Sequence, residues 1–370
     1  MTHNALATNG DQMIGVTATQ WGMAGAVVAA PQDAGTIMSN PAGLAELGMK
    51  EVRFDMGFGL LNPPRKANGY ESDSDYYLIP SGAVAFNVDD RLYLGMGMAG
   101  LSGMGVDFRD TAAAPGNQTV VTTKQFYKIA PGFGYKLNDQ FSIGAALNID
   151  YQSLALSNPA YTLPQNQVYG FGVTAGLIYK LNNQLQFGGT WISKQNMGEF
   201  KWNTTAGAFG LTMDAPQQFA LGVAFKPMAG MLIEADVKYI QFSDVLGSIA
   251  ISRPVGYAGP VPASMNFGWE DQTVFAIGLQ QEISPKTTLR MGFNYGKSPI
   301  GAEDVNANIG SLAITESHLS VGATHKLSDK VSGSLSYMHA FNNELTSSVA
   351  PYNTIELEQN IVNVQVSYLF

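Results

Sequence analysis

The chain has 370 residues, of which 13% are charged, and its formal net charge is −9. Soluble domains carry roughly 25% charged residues, and helical membrane proteins contain uncharged apolar runs of about 20 residues; here the one candidate run, residues 12–32, is diluted by threonine, glutamine and glycine. The shortage of Lys and Arg argues against a nucleic-acid partner, because phosphate binding requires clustered positive charge. The absence of cysteine excludes disulfides, thiolate metal sites and cysteine nucleophiles, and it fits passage through an oxidising periplasm.

Residues 1–50 lack the alternation that marks strands and are rich in Gly, Ala and Met. Their apolar stretch is not preceded by the basic residues with which a secretion signal begins, so we expect the sequence to be that of a mature chain. This composition is poor material for an independent soluble domain. It predicts a compact segment that is buried by the rest of the protein.

From residue 51 onward, apolar and polar residues alternate with the period of two that predicts strands with two different faces. The alternation is clearest in residues 141–152, 231–239, 289–295 and 362–370, where aliphatic and aromatic residues share one face and small or charged residues share the other. Fourteen strands are predicted: 51–60, 76–88, 91–104, 122–136, 140–155, 166–180, 184–196, 212–226, 231–245, 272–283, 286–297, 315–327, 330–341 and 358–370.

The connections between these strands are of two kinds. Short polar turns, such as 88–91 and 136–140, alternate with longer stretches that we interpret as irregular loops. The alternation is typical of outer-membrane barrels, in which short turns face the periplasm and long loops face outward. The long loops are predicted at 61–75, 105–121, 156–165, 197–211, 246–271, 298–314 and 342–357.

These observations predict an all-β fold, a 14-stranded antiparallel transmembrane β-barrel formed by residues 51–370. A closed barrel satisfies every backbone hydrogen bond in lipid. A lumen of this size is wider than side chains alone can fill, so we expect residues 1–50 to form a plug inside it. The expected location is the outer membrane of a Gram-negative bacterium.

Several motifs carry a family resemblance. The most specific is Asn40-Pro41-Ala42-Gly43, preceded by Gly22-Met23-Ala24-Gly25-Ala26 and Pro31-Gln32-Asp33-Ala34. With Gly103-Met104-Gly105-Val106-Asp107-Phe108 and the terminal Ser367-Tyr368-Leu369-Phe370, the chain resembles the long-chain fatty acid and aromatic-hydrocarbon outer-membrane transporters, the FadL/TodX/OmpP1-like family. The resemblance implies an N-terminal hatch in a fourteen-stranded barrel, a kinked third strand that opens the wall sideways, and an apolar pocket inside.

The resemblance also implies a function: passive transport of hydrophobic small molecules, such as long-chain fatty acids or aromatic compounds, without a cofactor, a metal or catalysis. The expected partners are the hydrophobic substrate, outer-membrane lipid and lipopolysaccharide, and the barrel-assembly machinery during biogenesis, and the expected state is a monomer. An aqueous porin for polar solutes is the alternative, because several strands place polar residues inward. A structural barrel without transport is a third hypothesis.

Asn40, Pro41, Ala42 and Gly43 form the predicted hatch motif. Asn before Pro favours a turn, and Pro fixes φ. A plain loop turn is one interpretation of this spacing. With the flanking matches, we favour a hatch motif whose shift would open a path to the periplasm.

The predicted third strand contains an unusual run of glycines. Glycine inside a strand often marks a bulge or a close backbone approach. The run is either a simple strand end or an interrupted ladder that leaves a lateral opening. The residues concerned are Gly100, Leu101, Ser102, Gly103, Met104 and Gly105.

Arg290 is predicted to face the lumen, where a buried guanidinium must be paired. Glu234, Asp236 or the acids of residues 1–50 are the expected partners. We favour a structural tether for the hatch, with contact between a substrate carboxylate and Arg290, Lys128 or Lys238 as the alternative.

The sequence contains three further patterns. Tyr368 and Phe370, at alternating positions of the last strand, resemble the signal that the barrel-assembly machinery recognises. His318 and Ser320 share a lumenal face but lack a visible orienting group, and the four histidines show no metal spacing, so catalysis and metal binding are not expected. Residues 95–100 match G-x-G-x-x-G, but no helix is predicted after them.

Overall fold

Fourteen long strands, paired antiparallel in chain order, dominate the molecule. The computed structural model describes residues 8–109, 120–158 and 161–370, so parts of the predicted loops 105–121 and 156–165 lie outside it. The strands are β1 Val52–Asn62, β2 Tyr77–Asn87, β3 Leu92–Asp107, β4 Val121–Lys136, β5 Phe141–Ser157, β6 Thr162–Lys180, β7 Leu185–Ile192, β8 Gln218–Phe225, β9 Met231–Ile240, β10 Gln272–Ser284, β11 Thr287–Gly296, β12 Ser317–Lys326, β13 Val331–Thr346 and β14 Thr354–Leu369.

The sheet closes on itself, because β14 pairs with β1 from Leu369↔Arg53 to Asn360↔Asn62. Every neighbouring pair along the chain is also bonded. The prediction of a closed, fourteen-stranded antiparallel barrel is therefore confirmed. Closure removes the free strand edges that a sheet in lipid could not satisfy.

The two faces of the wall follow the alternation in the sequence. In β5, Asn148 and Asp150 are almost completely buried, whereas Leu147 is exposed and Ile149, which lies between them, is half-buried. The outward face carries large apolar side chains such as Met56 and Leu221, which are 58% and 66% exposed. Such a surface is stable against acyl chains rather than water.

Strand ends were predicted less well than strands. The eighth strand begins at Gln218 rather than 212, because residues 207–212 leave the wall and pair with residues 199–204 as a hairpin. The ninth ends at Ile240 rather than 245, where residues 243–246 form a helical turn.

The loops predicted as irregular contain further structure. A four-stranded sheet stands above the wall and buries aromatic side chains that include Phe200 and Trp202. A small hairpin and a 3-10 turn lie in two other loops. The strands of the upper sheet are Glu199–Thr204, Gly207–Thr212, Ser248–Ser252 and Ser264–Asn266. The small hairpin consists of Arg65–Ala67 and Tyr70–Glu71, and the 3-10 turn is Val305–Ala307. A further short strand, Asn196–Met197, pairs with β6.

Residues 8–50 precede the barrel strands and pack against their inward faces, with most side chains buried. We call these residues the N-terminal segment. No helix among the described residues is long and apolar enough to span a bilayer. The elements of the segment are the strands Thr8–Asn9 and Gln12–Met13, helix α1 Ala18–Gly22, helix α2 Thr36–Ser39 and the 3-10 helix Pro41–Glu46; helix α3, Ser243–Leu246, lies in a loop.

Candidate transport pathway

Asn40 joins two parts of the N-terminal segment to the barrel wall. Its Nδ2 donates to the carbonyl oxygens of Val28 at 2.7 Å and of Leu177 in β6 at 3.1 Å. Its Oδ1 accepts from the backbone N of Ala42 at 3.2 Å and so caps the 3-10 helix, which begins at Pro41. The predicted hatch motif therefore lies at a junction of the segment with the wall.

Glycines flatten the inner wall where this motif packs. A Cβ at Gly144 would lie 2.4 Å from the backbone N of Ala42, and one at Gly176 would lie 2.0 Å from Asn40 Oδ1. Gly43 likewise lies so close to Thr36 of α2 that a Cβ at this position would clash with the Thr36 hydroxyl group. Only glycine permits this approach of two backbones. The row consists of Gly134, Gly144 and Gly176, which are cross-strand neighbours in β4, β5 and β6.

Two carboxylates of β9 hold residues 27–30 of the N-terminal segment. Asp236 Oδ2 accepts hydrogen bonds from the first two backbone N–H groups at 2.7 and 3.0 Å, and Glu234 Oε1 accepts from the next two at 2.5 and 2.9 Å. Both side chains are buried. Four consecutive donors of the segment are therefore satisfied by the wall.

Arg290 contacts the N-terminal segment through the side chain of Gln32. Its Nε donates to Gln32 Oε1 at 2.7 Å, and its Nη1 donates to Thr324 Oγ1 at 2.7 Å. In the described part of the chain no direct ion pair includes Arg290, so the expected pairing with Glu234, Asp236 or an acid of the segment is not seen as a direct contact. The two β9 carboxylates already accept backbone N–H groups.

Lys128 of β4 and Lys238 of β9 line the same central cavity, of about 80 Å³, from different parts of the wall. Across residues 8–109, 120–158 and 161–370, neither ammonium group has a hydrogen bond or an ion pair. Asp150, the cross-strand neighbour of Lys128, also has both carboxylate oxygens buried, and among the described residues neither has a hydrogen-bond partner. The rest of the lining is largely apolar and includes Met13, Ile14, Leu101, Phe126 and Ile192.

The third strand leaves its neighbour partway along the wall. β3 pairs with β2 only as far as Ala99↔Ser81, although both strands continue. On its other side the β3/β4 ladder slips by one residue at Leu101. Residues 77–80 of β2 therefore face residues 100–103 of β3 without a ladder between them. We call this interruption the wall gap.

The wall gap lies in the half of the barrel nearer the long loops. It is closed at its far end by a hydrogen bond from Asp73 N to Asp107 O at 2.9 Å, and Tyr77 OH donates to Gly105 O at 3.5 Å. A cavity of about 230 Å³ occupies it. A Cβ at Gly103 would meet only one backbone oxygen, at 3.5 Å, so this position has free space. The lining includes Leu61, Leu78, Ile79, Met104 and Phe126.

A buried polar cluster holds the bent part of β3 against the N-terminal segment. Asp11 Oδ2 accepts from Ser102 Oγ at 2.5 Å and forms an ion pair with Lys124 Nζ. Gln12 is the backbone partner of Ser102. At Ser102 the segment thus pairs with β3 in a stretch where β2 does not.

Three cavities adjoin one another along this part of the molecule. An outer cavity of about 440 Å³ shares Met104 and Lys124 with the cavity of the wall gap. The wall-gap cavity in turn shares Met13 and Phe126 with the central cavity. Apolar side chains line most of the outer cavity, among them Leu154, Leu156, Tyr161, Met213, Met265, Phe267 and Ile309.

A separate polar cavity of about 630 Å³ lies at the short-turn end, between the N-terminal segment and the wall. Its lining includes Lys180, Lys226 and Glu282. Residues 27–30 lie between it and the central cavity, because Val27 and Val28 line the central cavity and Ala30 lines the polar one.

His318 and Ser320 both face inward, and both contact other groups of the interior. His318 Nδ1 lies 3.2 Å from Asn294 Oδ1, and Ser320 Oγ donates to Gly22 O at 3.2 Å. Within the described ranges, no group of three or more potential ligands could hold a metal ion.

The family model "Outer membrane protein transport protein (OMPP1/FadL/TodX)" matches residues 1–366. The chain belongs to this family. Its fold is similar to that of a Pseudomonas aeruginosa FadL homologue, with a TM-score of 0.77 and 13% sequence identity over 98% of this chain and 100% of that one. It is also similar to that of the P. putida toluene transporter TodX, with a TM-score of 0.77 and 16% identity over 96% of this chain and 99% of that one. The Ralstonia pickettii toluene transporter TbuX also has a similar fold, with a TM-score of 0.76 and 17% identity over 96% of this chain and 98% of that one. No curated protein matches the sequence.

Membership of the OMPP1/FadL/TodX family confirms the resemblance drawn from the Asn40-Pro41-Ala42-Gly43 motif and its companions. It also confirms the location in the outer membrane of a Gram-negative bacterium, and family members are transport channels rather than enzymes.

Two important residues of this OMPP1/FadL/TodX-family chain, Asp11 and Lys124, were not singled out from the sequence. Lys124 shares its strand phase with Lys128, so its inward orientation could have been predicted. Asp11 is one of only three acids in the first fifty residues. Their pairing could not have been found, since 113 residues separate them.

Tyr368 and Phe370 lie at the end of β14 on the outer side of the barrel. Their ring centroids are 4.6 Å apart, and Phe370 N donates to Val52 O at 3.0 Å across the closing seam. Phe370 is 58% exposed. Their reading as an assembly signal stays a prediction.

Proposed function

We propose that the protein is a passive channel that carries hydrophobic small molecules, fatty acids or aromatic compounds, from the outer cavity through the wall gap into the outer membrane. Two of the similar solved structures are named toluene transporters. Burial of apolar surface, worth about 25 cal/mol per Å², would supply the binding free energy. No energy source is needed for movement down a gradient.

The observation that carries this proposal is the interrupted ladder between β2 and β3. An uninterrupted barrel wall offers no sideways exit, because neighbouring strands lie only about 4.8 Å apart. Here the ladder stops after Ala99↔Ser81, and the largely apolar outer cavity adjoins the cavity at the interruption. The route toward the periplasm is less suited to an apolar molecule, since residues 27–30 block it and the cavity beyond is polar.

Filling the wall gap tests the proposal. Gly103→Phe places a ring where a Cβ meets no close atom, so the barrel should still assemble. Uptake of radiolabelled toluene and oleate by Gram-negative cells that produce the variant should fall at least fivefold. The matched control is Gly333→Phe in β13, another glycine with open space around its Cβ. Equal uptake by Gly103→Phe and the control, at equal amounts of folded barrel, would refute the lateral route.

An aqueous porin remains the second candidate because the lumen contains polar atoms without partners. Asp150 and Gln152 of β5 are buried, and their terminal atoms make no hydrogen bonds within the described part of the chain. A porin conducts ions steadily in planar bilayers, whereas a barrel closed by the N-terminal segment hardly conducts. Steady ohmic conductance of the unmodified protein would favour the porin.

A further inference from the structure

A shallow apolar groove runs along the lipid-facing side of β2. Its floor is formed by Pro80 and Gly82, the outward residues of the middle of this strand. The volume of the groove is about 720 Å³. We call it the wall groove; its sides are formed by Met56 and Phe58 of β1 and by Met96 and Met98 of β3.

The strand register explains the groove. Phe58 lies beside Pro80, and Met56 and Met98 lie on the two sides of Gly82. Two small outward residues are thus flanked by long side chains on both neighbouring strands. The nearest atom to a Cβ at Gly82 would be a backbone oxygen 3.7 Å away, so the floor is open there.

The wall groove is continuous with the wall gap. Leu78, which is 62% exposed, lines both the cavity of the gap and the groove. Pro80 stands at the junction, next to Ser81, the last residue of β2 that pairs with β3. From this junction the groove follows β2 toward the short-turn end, that is, toward the middle of the bilayer.

We propose that the wall groove receives the apolar molecule as it leaves the wall gap. This inference rests on the proposed function. A hydrophobic solute that emerges among lipid headgroups would meet polar groups and water. Contact of its apolar surface with water is unfavourable. The groove offers it an uninterrupted apolar surface, without a charged side chain in its lining, from the gap to the acyl-chain region. The occupant is the transported molecule rather than a resident lipid.

The groove can be filled after the barrel has assembled, because the chain has no cysteine of its own. Gly82→Cys adds a small side chain in open space. Reaction with benzyl methanethiosulfonate then covers the groove floor, and a reductant removes the group. The control is Ala323→Cys, an outward position of β12 remote from the gap.

With toluene as the probe, uptake by cells carrying Gly82→Cys should match the unmodified protein, fall at least fivefold after modification and recover after reduction. Modified Ala323→Cys should show no loss. If modified Gly82→Cys kept its toluene uptake while Gly103→Phe abolished uptake, the role of the wall groove would be overturned. The proposed function would then still stand. Absence of both toluene and oleate uptake by the unmodified protein would overturn both.

A second measurement identifies the occupant. Met98→Trp places an indole at the side of the groove. The variant is reconstituted in vesicles of brominated phosphatidylcholine, whose acyl chains quench the fluorescence of the indole. Displacement of acyl chains by toluene should relieve the quenching at position 98 more than at a Leu335→Trp control on β13. Quenching that toluene relieves equally at both positions would show that membrane lipid alone fills the groove, and would overturn the proposal.

Discussion

Asp11 and Lys124 form an ion pair in the interior of the barrel, and their side chains are 0 and 4% exposed. Asp11 belongs to the N-terminal segment and Lys124 to β4, beside the bent part of β3. The pair therefore joins the segment to the wall at the point where the outer cavity meets the wall gap.

Asp11→Asn should loosen the N-terminal segment, because it leaves the Lys124 ammonium buried without a counter-charge. Breaking a buried pair in this way costs about 3–5 kcal/mol. Limited proteolysis of the folded barrel should cleave the segment faster in the variant than in the unmodified protein. The double variant Asp11→Asn/Lys124→Met, which removes the stranded charge, should recover much of the protection. A single variant as resistant as the unmodified protein would contradict the tether.

Gly176→Ala should displace the hatch motif. The new Cβ would lie 2.0 Å from Asn40 Oδ1, so either the asparagine or β6 must move, and overpacking of this kind costs roughly 1–3 kcal/mol. We expect a lower temperature for the heat-induced mobility shift in gel electrophoresis. Gly333→Ala is the control, since nothing lies within 4 Å of its Cβ. If both substitutions left that temperature unchanged, the close packing at Gly176 would be disproved.

Replacing both β9 carboxylates, Glu234→Ala with Asp236→Ala, should open a leak. Four backbone N–H groups of residues 27–30 would lose their acceptors, at about 1–3 kcal/mol for each group left unpaired. These residues separate the central cavity from the polar cavity, so planar-bilayer recordings should show ion conductance that the unmodified protein lacks. Glu282→Ala, an exposed acid of the polar cavity, serves as control. A double variant that stayed closed would show that other contacts alone keep the segment in place.

Lys128→Met and Lys238→Met should separate charged from neutral substrates. Two ammonium groups that share one cavity suit a carboxylate, whereas a hydrocarbon gains nothing from them. Oleate uptake should fall severalfold in either variant while toluene uptake is kept. Lys201→Met, at an exposed lysine of the upper sheet, controls for loss of charge. A parallel loss of both uptakes would assign the lysines a structural role instead.

The strands of the wall could be predicted closely because alternate residues of a strand point to opposite faces, so that apolar and polar residues alternate in the sequence. β5 is an example, since the inward positions of Asn148 and Asp150 follow from the period alone. The upper sheet was missed although Phe200 and Trp202 alternate, because its hairpin is extended by a strand from another loop, Ser248–Ser252, which is distant in sequence. The glycine row across β4, β5 and β6 was likewise hidden, since it appears only when three registers are known.

The contacts of the N-terminal segment also bear on how the protein is put together. Ala34 donates to Asp55 of β1, Thr19 contacts Gln365 of β14, and residues 27–30 are held by β9 on another side. Because Asp55 lies in the first strand and Gln365 in the last, the segment is bound to both strands that meet where the circle closes. The closing seam is therefore bridged from inside as well as by its own backbone ladder.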